Sequence, residues 1–324
     1  MKLQWDQLEW KVYQRKLKPA LQTANGPITQ REGILLKYSQ PEKPRYAEIA
    51  PWSSFGTETV EEAISCLNRC KTEGNLDKLK LANSPATGYA LSCLSLPQQD
   101  LSSSFAVSSV ALGSISTMGE AQLNDLLRAG YRAFKWKLSS SPAAEQVSQL
   151  EQFISSIPDD VEIRLDANQS ISPEEWLVWY DFLKSNAKVS YLEEPFRTSP
   201  LEYDFGDIES RIAVDESLLY PDALNAFKQK GWKGYYVIKP SLSGAISNWM
   251  PKLEAISHRV VFSSTFETAI GLRQLMRLYH QLGGTLAMGL GPTAYLSHDG
   301  LNPVHKPILT LGDLPTEEAV WSAI

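Results

Sequence analysis

At 324 residues the chain is long enough for two domains, or for one barrel with an added layer. Its hydrophobic content of 43% and charged content of 21% are those of an ordinary folded globular protein. A formal net charge of -6, with no dense Lys/Arg run, argues against nucleic acid as a partner, because a phosphate backbone demands a basic face.

Taken in chain order, the start MKLQWDQLEWKVYQRKLKPAL lacks the continuous apolar stretch of a secretory signal. No later apolar run approaches the roughly 18 residues that would span a membrane, so no membrane partner is expected. Trp10–Arg15, Gly33–Tyr38 and Arg45–Ile49 read as strands of an antiparallel meander, with the turn signal Thr23-Ala24-Asn25-Gly26-Pro27 between the first two. A helix is expected at Thr59–Cys70, where Val60, Ala63, Ile64 and Leu67 recur at helical spacing. Strands followed by a helix make a small α+β unit over residues 1–104. Cys66, Cys70 and Cys93 are an odd, sparse set, which suits a reducing cytoplasm better than a disulfide framework. With no further Cys or His nearby, Cys66 and Cys70 read as buried thiols and not as a soft-metal pair.

From about residue 105 the texture becomes a regular alternation. Apolar runs fall at Val107–Leu112, Ala133–Leu138, Val161–Leu165, Val189–Leu192, Ile212–Val214, Tyr235–Ile238, Val260–Phe262 and Thr285–Met288. Their spacing of roughly 25 residues is that of one βα unit. Ser172-Pro173-Glu174-Glu175 supplies an N-cap, a Pro at the first helical position and a Glu at the third, and Gly119-Glu120 and Pro221-Asp222 open two more helices. Eight strands separated by helices close most naturally into a barrel, over residues 105–306, with 307–324 carrying no ninth unit.

Active sites of such barrels lie where the strands end. The second run ends Phe134-Lys135-Trp136-Lys137, and strand alternation points Lys135 and Lys137 the same way. The third ends Arg164-Leu165-Asp166-Ala167-Asn168, the fourth Glu193-Glu194-Pro195, the fifth Asp215-Glu216-Ser217, and the sixth Lys239-Pro240. The seventh ends Ser263-Ser264-Thr265, and the eighth runs into Gly289-Leu290-Gly291. Converging Asp166, Glu193 and Asp215 repel one another and need a cation between them; hard oxygen donors favour Mg²⁺ over zinc. A lysine on each side can then share proton chemistry, its pKa lowered by the metal and by the second ammonium. Any one of these residues alone reads as a helix cap or a solvated side chain. Five in the order Lys, Asp, Glu, Asp, Lys on successive strands do not.

That order, carried by Lys-Trp-Lys, Asp-Ala-Asn, Glu-Glu-Pro, Asp-Glu-Ser and Ile-Lys-Pro, closely resembles the muconate lactonizing enzyme subgroup of the enolase superfamily, over nearly the whole chain. The resemblance implies an α/β fold: a modified TIM-type (β/α)7β barrel with an N-terminal α+β capping domain, to which the C-terminal segment returns. It also implies a lysine base working against an enediolate stabilised by Mg²⁺. Within the subgroup the chain looks most like the o-succinylbenzoate synthase family. Arg164 to Asn168, the run from Val237 through Lys239-Pro240-Ser241 to Gly244, and Ser263-Ser264 followed by Phe266-Glu267 carry that likeness. Dipeptide epimerases of the subgroup carry an Asp-x-Asp at the last strand, where this chain has Gly289-Leu290-Gly291-Pro292-Thr293; this favours a small anionic substrate without an amine.

The implied reaction is dehydration of a succinyl-bearing hydroxycyclohexadiene carboxylate to o-succinylbenzoate, a step of menaquinone and phylloquinone biosynthesis. Lys137 is expected as the base that later acts as acid, Lys135 as the group that tunes it, and Lys239 as a cation opposite. Asn168 and Glu216 are expected to support the metal, or to serve as loop and capping residues. Arg164, Asn168, Ser263, Ser264, Gly289 and Gly291 are candidate substrate contacts. The segments Gln22–Thr29 and Ala50–Gly56 are expected to close over the mouth, with Trp52 and Phe55 meeting a ring or packing the domain interface. Two other functions remain open: racemisation or epimerisation of N-acyl amino acids or dipeptides, and a non-catalytic binding barrel. His258, His280, His298 and His305 follow no metal-ligand spacing and read as ordinary surface or helix residues.

Overall fold

Alternation of inward apolar and outward polar side chains builds the first layer. The computed structural model describes residues 3–23, 26–74, 81–97, 101–102, 104–113, 120–220, 222–291, 296 and 299–324. Strands β1 (Leu8–Thr23), β2 (Gly26–Tyr38) and β3 (Arg45–Ile49) form an antiparallel sheet in that order. The first two are longer than the apolar pattern suggests, because Arg15 and Leu17 turn inward while Lys16 and Lys18 face out. Their pairing breaks register between Lys16 and Leu21, where Pro19 has no N–H to donate. Gln22–Thr29, expected as a loop, is thus mostly paired strand; Ala24 and Asn25 lie outside the described residues.

Helix α1 (Val60–Glu73) opens on a capping box between Thr59 and Glu62 and closes on Gly74 at φ 63°. It runs one turn past the expected Cys70. Helix α2 (Pro85–Ser95) has Pro at its start. Cys66, Leu67 and Cys70 from α1 and Ala90, Leu91 and Leu94 from α2 pack beneath Ile34, Leu36 and Ile49 of the sheet.

The second layer takes its strands in turn: β4 (Ala106–Ser108), β5 (Ala111–Gly113), β6 (Ala133–Lys137), β7 (Glu162–Asp166), β8 (Val189–Glu193), β9 (Ile212–Val214), β10 (Tyr235–Ile238) and β11 (Val260–Phe262). Helices α3 (Glu120–Ala129), α4 (Ala143–Ser156), α5 (Trp176–Ser185), α6 (Ala223–Lys230), α7 (Ile246–Leu253) and α8 (Ala269–Leu282) alternate with them. Strands β5 to β11 form one parallel sheet of seven in sequence order. Two isolated bridges, Ser263 with Gly289 and Ser109 with Met288, carry the ladder from β11 round towards β5. The expected eighth strand, Thr285–Met288, is therefore reduced to Met288 and Gly289. A Cβ on Gly289 would stand 2.7 Å from Ser263 Oγ, so only glycine allows this close approach.

Three expectations shift in detail. Val107–Leu112 is not one run: β4 leaves the barrel and pairs with β12 (Ile308–Thr310), while β5 begins the parallel sheet. Helix α5 starts at Trp176, not at Pro173, and Ser172 instead accepts the Glu175 amide at 3.3 Å in a preceding turn. Gly119 and Pro221 lie outside the described residues, and the helices next to them begin at Glu120 and Ala223. The chain ends in α9 (Glu317–Ala323), whose Glu318 pairs with Lys37 and Tyr46 of the first sheet. Among the described residues no helix is long and apolar enough to cross a membrane.

His305 is partly buried, with Nδ1 2.9 Å from Tyr131 Oη, its ring stacked on that phenol and Nε2 without a partner. Burial pulls its pKa down to about 4. Because the unfolded chain binds this proton more readily, the stability His305 contributes is whole above about pH 6.5 and lost as pH falls towards 4. Thermal unfolding across that window should show up to about 3 kcal/mol of loss that His305→Phe flattens.

Candidate active site

Register sets the site. Lys137, Asp166 and Glu193 are neighbours across the ends of β6, β7 and β8, at one level of the sheet. Glu193 also pairs with Ala213, so Asp215, two residues on, lies on the same side one pleat higher. Lys239 follows directly on β10.

The carboxylates are all buried: Glu193 is 0%, Asp215 5% and Asp166 6% exposed. Lys135, one pleat below Lys137, reaches up to lie 2.8 Å from Asp166 Oδ2 and 2.8 Å from Glu193 Oε1. Lys239 pairs with Asp215 Oδ1. Lys137 is exposed at the mouth. Asn168, at φ 43°, donates its side-chain amide to Asp166 Oδ1 at 2.9 Å and to Glu216 Oε1 at 3.4 Å.

Two ammonium groups therefore stand among the carboxylates and carry part of the countercharge assigned from sequence to a metal. Among the described residues no three carboxyl, imidazole or thiol side chains are already drawn together as a metal cage. Two oxygens nevertheless have no partner among the described residues: Glu193 Oε2 is buried and unbonded, as is Glu216 Oε2. An orphaned buried carboxylate oxygen is costly, and a trio of hard oxygen donors that includes one suits a hard divalent cation.

The electrostatics differ from the expected pattern. Burial tends to lower Lys135, but Asp166, Glu193 and Asp215 outweigh it and hold its pKa well above the ordinary value. Lys239 is likewise raised, Asp215 and Glu216 overcoming burial. Burial pushes Glu193 well up, aided by Asp166 and Asp215, with Lys135 only partly offsetting them. Burial also raises Asp166, but Lys135 and Lys137 more than reverse it. Glu216 rises to about 7, through burial first and then Asp215. Without a metal the carboxylates thus hold Lys135 and Lys239 up, whereas the lowering expected from the sequence belongs to the metal-loaded site.

Residues 119–261 match the family of enolase C-terminal domain-like proteins. Over almost the whole chain, the protein is 26% identical to an o-succinylbenzoate synthase of Thermosynechococcus vestitus, covering 98% of each. An o-succinylbenzoate synthase of Pasteurella multocida is 27% identical, over 90% of this chain and 91% of that one. Among solved structures, an o-succinylbenzoate synthase from Thermosynechococcus elongatus with magnesium in its active site superposes with a TM-score of 0.77 at 25% identity, over 98% of this chain and 100% of that one. A dipeptide epimerase from Methylococcus capsulatus, bound to magnesium and a dipeptide, shares the fold at a TM-score of 0.75 and 17% identity, over 95% and 97%. The fold is accordingly that of the enolase superfamily, a parallel barrel sheet under an N-terminal antiparallel cap.

Several expected contacts are engaged elsewhere. Both hands of Arg164 are used inside the enolase-like barrel, on Ala287 O at 2.7 Å and on Glu162 at 2.6 Å, two residues back towards the strand start. Its length takes it away from the mouth that Asp166 faces. Ser264 gives its hydroxyl to Glu267 at 2.6 Å. Ser263 and Gly289 face each other across the closing bridge, and Gly291 is buried beside them in sequence; Pro292 and Thr293 lie outside the described residues. Trp52 is held between Phe266, Phe55 and Arg31, whereas Phe55 lies with its ring 5.2 Å from Lys239 Nζ. Of the two aromatics, Phe55 reaches the mouth and Trp52 packs the joint between cap and barrel. Phe55, Gly56 and Thr57 share an open cleft of about 550 Å³ with Asp215 and Lys239.

Other polar residues were not anticipated. Glu194, buried at φ 41°, accepts the amides of Asp215 at 2.8 Å and Ser217 at 2.7 Å, and so fixes the turn that presents Asp215. Glu267 accepts Ser241 Oγ, Thr265 N and Thr265 Oγ1 besides Ser264, tying the end of β11 to the residues just after Lys239. Phe266 stands between these donors at φ 69°, a conformation that costs a phenylalanine about 1–2 kcal/mol. Arg31 from the cap holds Thr265 O at 3.0 Å and Ala50 O at 2.8 Å.

Glu48, on β3 and 1% exposed, accepts Tyr13 Oη at 2.6 Å, the Thr268 hydroxyl, and the amides of Thr268 and Gly271 at 3.0 Å each. A cap carboxylate thereby caps a barrel helix. Glu48→Ala would strand four buried donors, and chemical denaturation should show a loss of about 3–5 kcal/mol.

Proposed function

We propose that the protein is an o-succinylbenzoate synthase, dehydrating 2-succinyl-6-hydroxy-2,4-cyclohexadiene-1-carboxylate to o-succinylbenzoate. The observation that carries this is a lysine on each flank of a buried carboxylate trio, Lys137 at the end of β6 and Lys239 just after β10. The full-length relatives named o-succinylbenzoate synthase support it. So does the neutral Gly289-Leu290-Gly291 at the last strand, which gives a substrate ammonium no partner there.

Asp166, Glu193 and Asp215 would hold Mg²⁺. Bound there, the cation supplies positive charge against the substrate carboxylate as the neighbouring carbon becomes acidic. Lys137 removes the proton from that carbon and returns it to the departing hydroxyl, so that water leaves and the ring becomes aromatic. Lys135, held by Asp166 and Glu193, keeps a fixed positive charge one pleat below Lys137. Lys239 places a second cation on the opposite side, where charge develops in the ring carboxylate. Asn168 orients Asp166, with Glu216 behind it. The setting implied is cytoplasmic menaquinone or phylloquinone synthesis, with a small anionic substrate and neither nucleic acid nor membrane as partner.

Ultraviolet spectroscopy tests the assignment. Metal-dependent loss of the diene and growth of the aromatic product, abolished by EDTA, is the expected result; no turnover by folded, metal-loaded protein would overturn it. The same pair of flanking lysines suits a two-base epimerase, and α-proton exchange into N-acyl amino acids or dipeptides without dehydration would establish that reading instead.

A further inference from the structure

We propose that Phe266 is a positioning residue that sets the aromatic lid of the active site, carrying Phe55 over the Lys239 ammonium through Trp52. The inference deepens the proposed function, since it names what shapes that mouth. Phe266 belongs to the enolase-like barrel, yet its side chain is buried against the cap in a cluster with Leu17 and Leu296, where Leu21, Ile28 and Trp52 pack on it. From there the contacts run one way. Phe266 and Trp52 lie with ring centroids 5.4 Å apart, Trp52 and Phe55 meet edge-on at 5.3 Å, and Phe55 covers Lys239 Nζ at 5.2 Å.

The delivery depends on an unusual backbone. At φ 69° the phenylalanine projects out of the barrel loop, and no local preference keeps it there. Neighbouring hydrogen bonds do: Ser264 Oγ accepts the Phe266 amide at 3.1 Å, and buried Glu267 accepts four donors, among them Ser241, two residues after Lys239. Glu48 locks the next turn to the cap sheet, and Arg31 ties Thr265 O to Ala50 O, just ahead of Trp52. Lysine and lid thus hang from one hydrogen-bonded segment. A shift of Phe266 displaces Phe55 and not the carboxylates, which belong to other strands.

Hydrogen–deuterium exchange over residues 50–57 reads the lid without reference to any substrate. Phe266→Gly, which tolerates the same backbone but has no ring, should speed exchange there about tenfold while leaving the strand ends at 163–166 and 191–193 protected. Phe266→Leu, which keeps an apolar body, should recover most of the protection. With the diene substrate, KM should rise about tenfold in Phe266→Gly while kcat changes less than about threefold. Unchanged exchange over 50–57 in a folded Phe266→Gly protein would overturn the proposal. Should that variant not fold, Trp52→Leu decides: faster exchange confined to 53–57 supports the relay, and unchanged exchange there refutes it. Lost protection in a protein whose wild type turns over no diene would refute the synthase reading alone.

Discussion

Lys137→Ala should reduce dehydration by at least about 10²–10⁴-fold, the range for one positioned acid or base, and by more if the residue serves in both steps. Lys137 is exposed at the mouth and makes no ion pair among the described residues, so its removal leaves the fold intact. The melting temperature should stay within about 2 °C of wild type, as for most surface substitutions. Lys239→Ala differs in both respects. It also cuts turnover, but it strips Asp215 of its ammonium partner and Phe55 of the cation beneath its ring, so it should destabilise as well. Solvent deuterium exchange at the substrate carbon separates their roles. A base mutant loses exchange with turnover, whereas loss of a stabilising cation slows both without abolishing proton transfer at high pH. Full turnover by Lys137→Ala would remove the residue from the mechanism.

How far such roles can be read without coordinates depends on what carries them. Strands β3, β10 and β11 and the residues after them were legible because a short strand-forming run and a polar strand end are local facts. Lys135, Lys137, Asp166, Glu193, Asp215 and Lys239 come together for that reason. Helix α2 gave no such signal: it is buried over most of its circumference, from Ala86 to Leu91, so its apolar residues have no period to detect. The eighth strand failed in the opposite way, its apolar run pairing only at its last residue. Glu48, Glu194 and Glu267 look like ordinary surface acids until the fold buries them, and the barrel partners of Glu48, Thr268 and Gly271, lie more than 200 positions away. Arg164 shows the converse error. Strand parity places it on the face of Asp166, but a long side chain at that level also reaches towards the strand start. The part of the site made by strand ends was readable; the part that joins cap to barrel exists only in tertiary contact.

Metal binding gives the sharpest separation among the carboxylates. Without metal, Asp166, Glu193 and Asp215 face Lys135 and Lys239, and Glu193 is the acid that burial and its like-charged neighbours disfavour most. Glu193→Gln would leave two carboxylates facing two ammonium groups, and Lys135 would keep Asp166. In EDTA this variant should be as stable as wild type or more so, because it removes a buried charge whose second oxygen is unbonded. Asp166→Asn should behave oppositely, costing about 3–5 kcal/mol, since Lys135 and Asn168 both depend on that carboxylate. Mg²⁺ at a hundred times its Kd should stabilise the wild type by about 2.7 kcal/mol, and neither variant should retain more than a fraction of that gain. Thermal scans of the three proteins in EDTA and in Mg²⁺ provide the comparison. If Glu193→Gln kept the whole magnesium-dependent gain, the cation would not sit among these strands, and the orphaned Glu193 oxygen would need another partner.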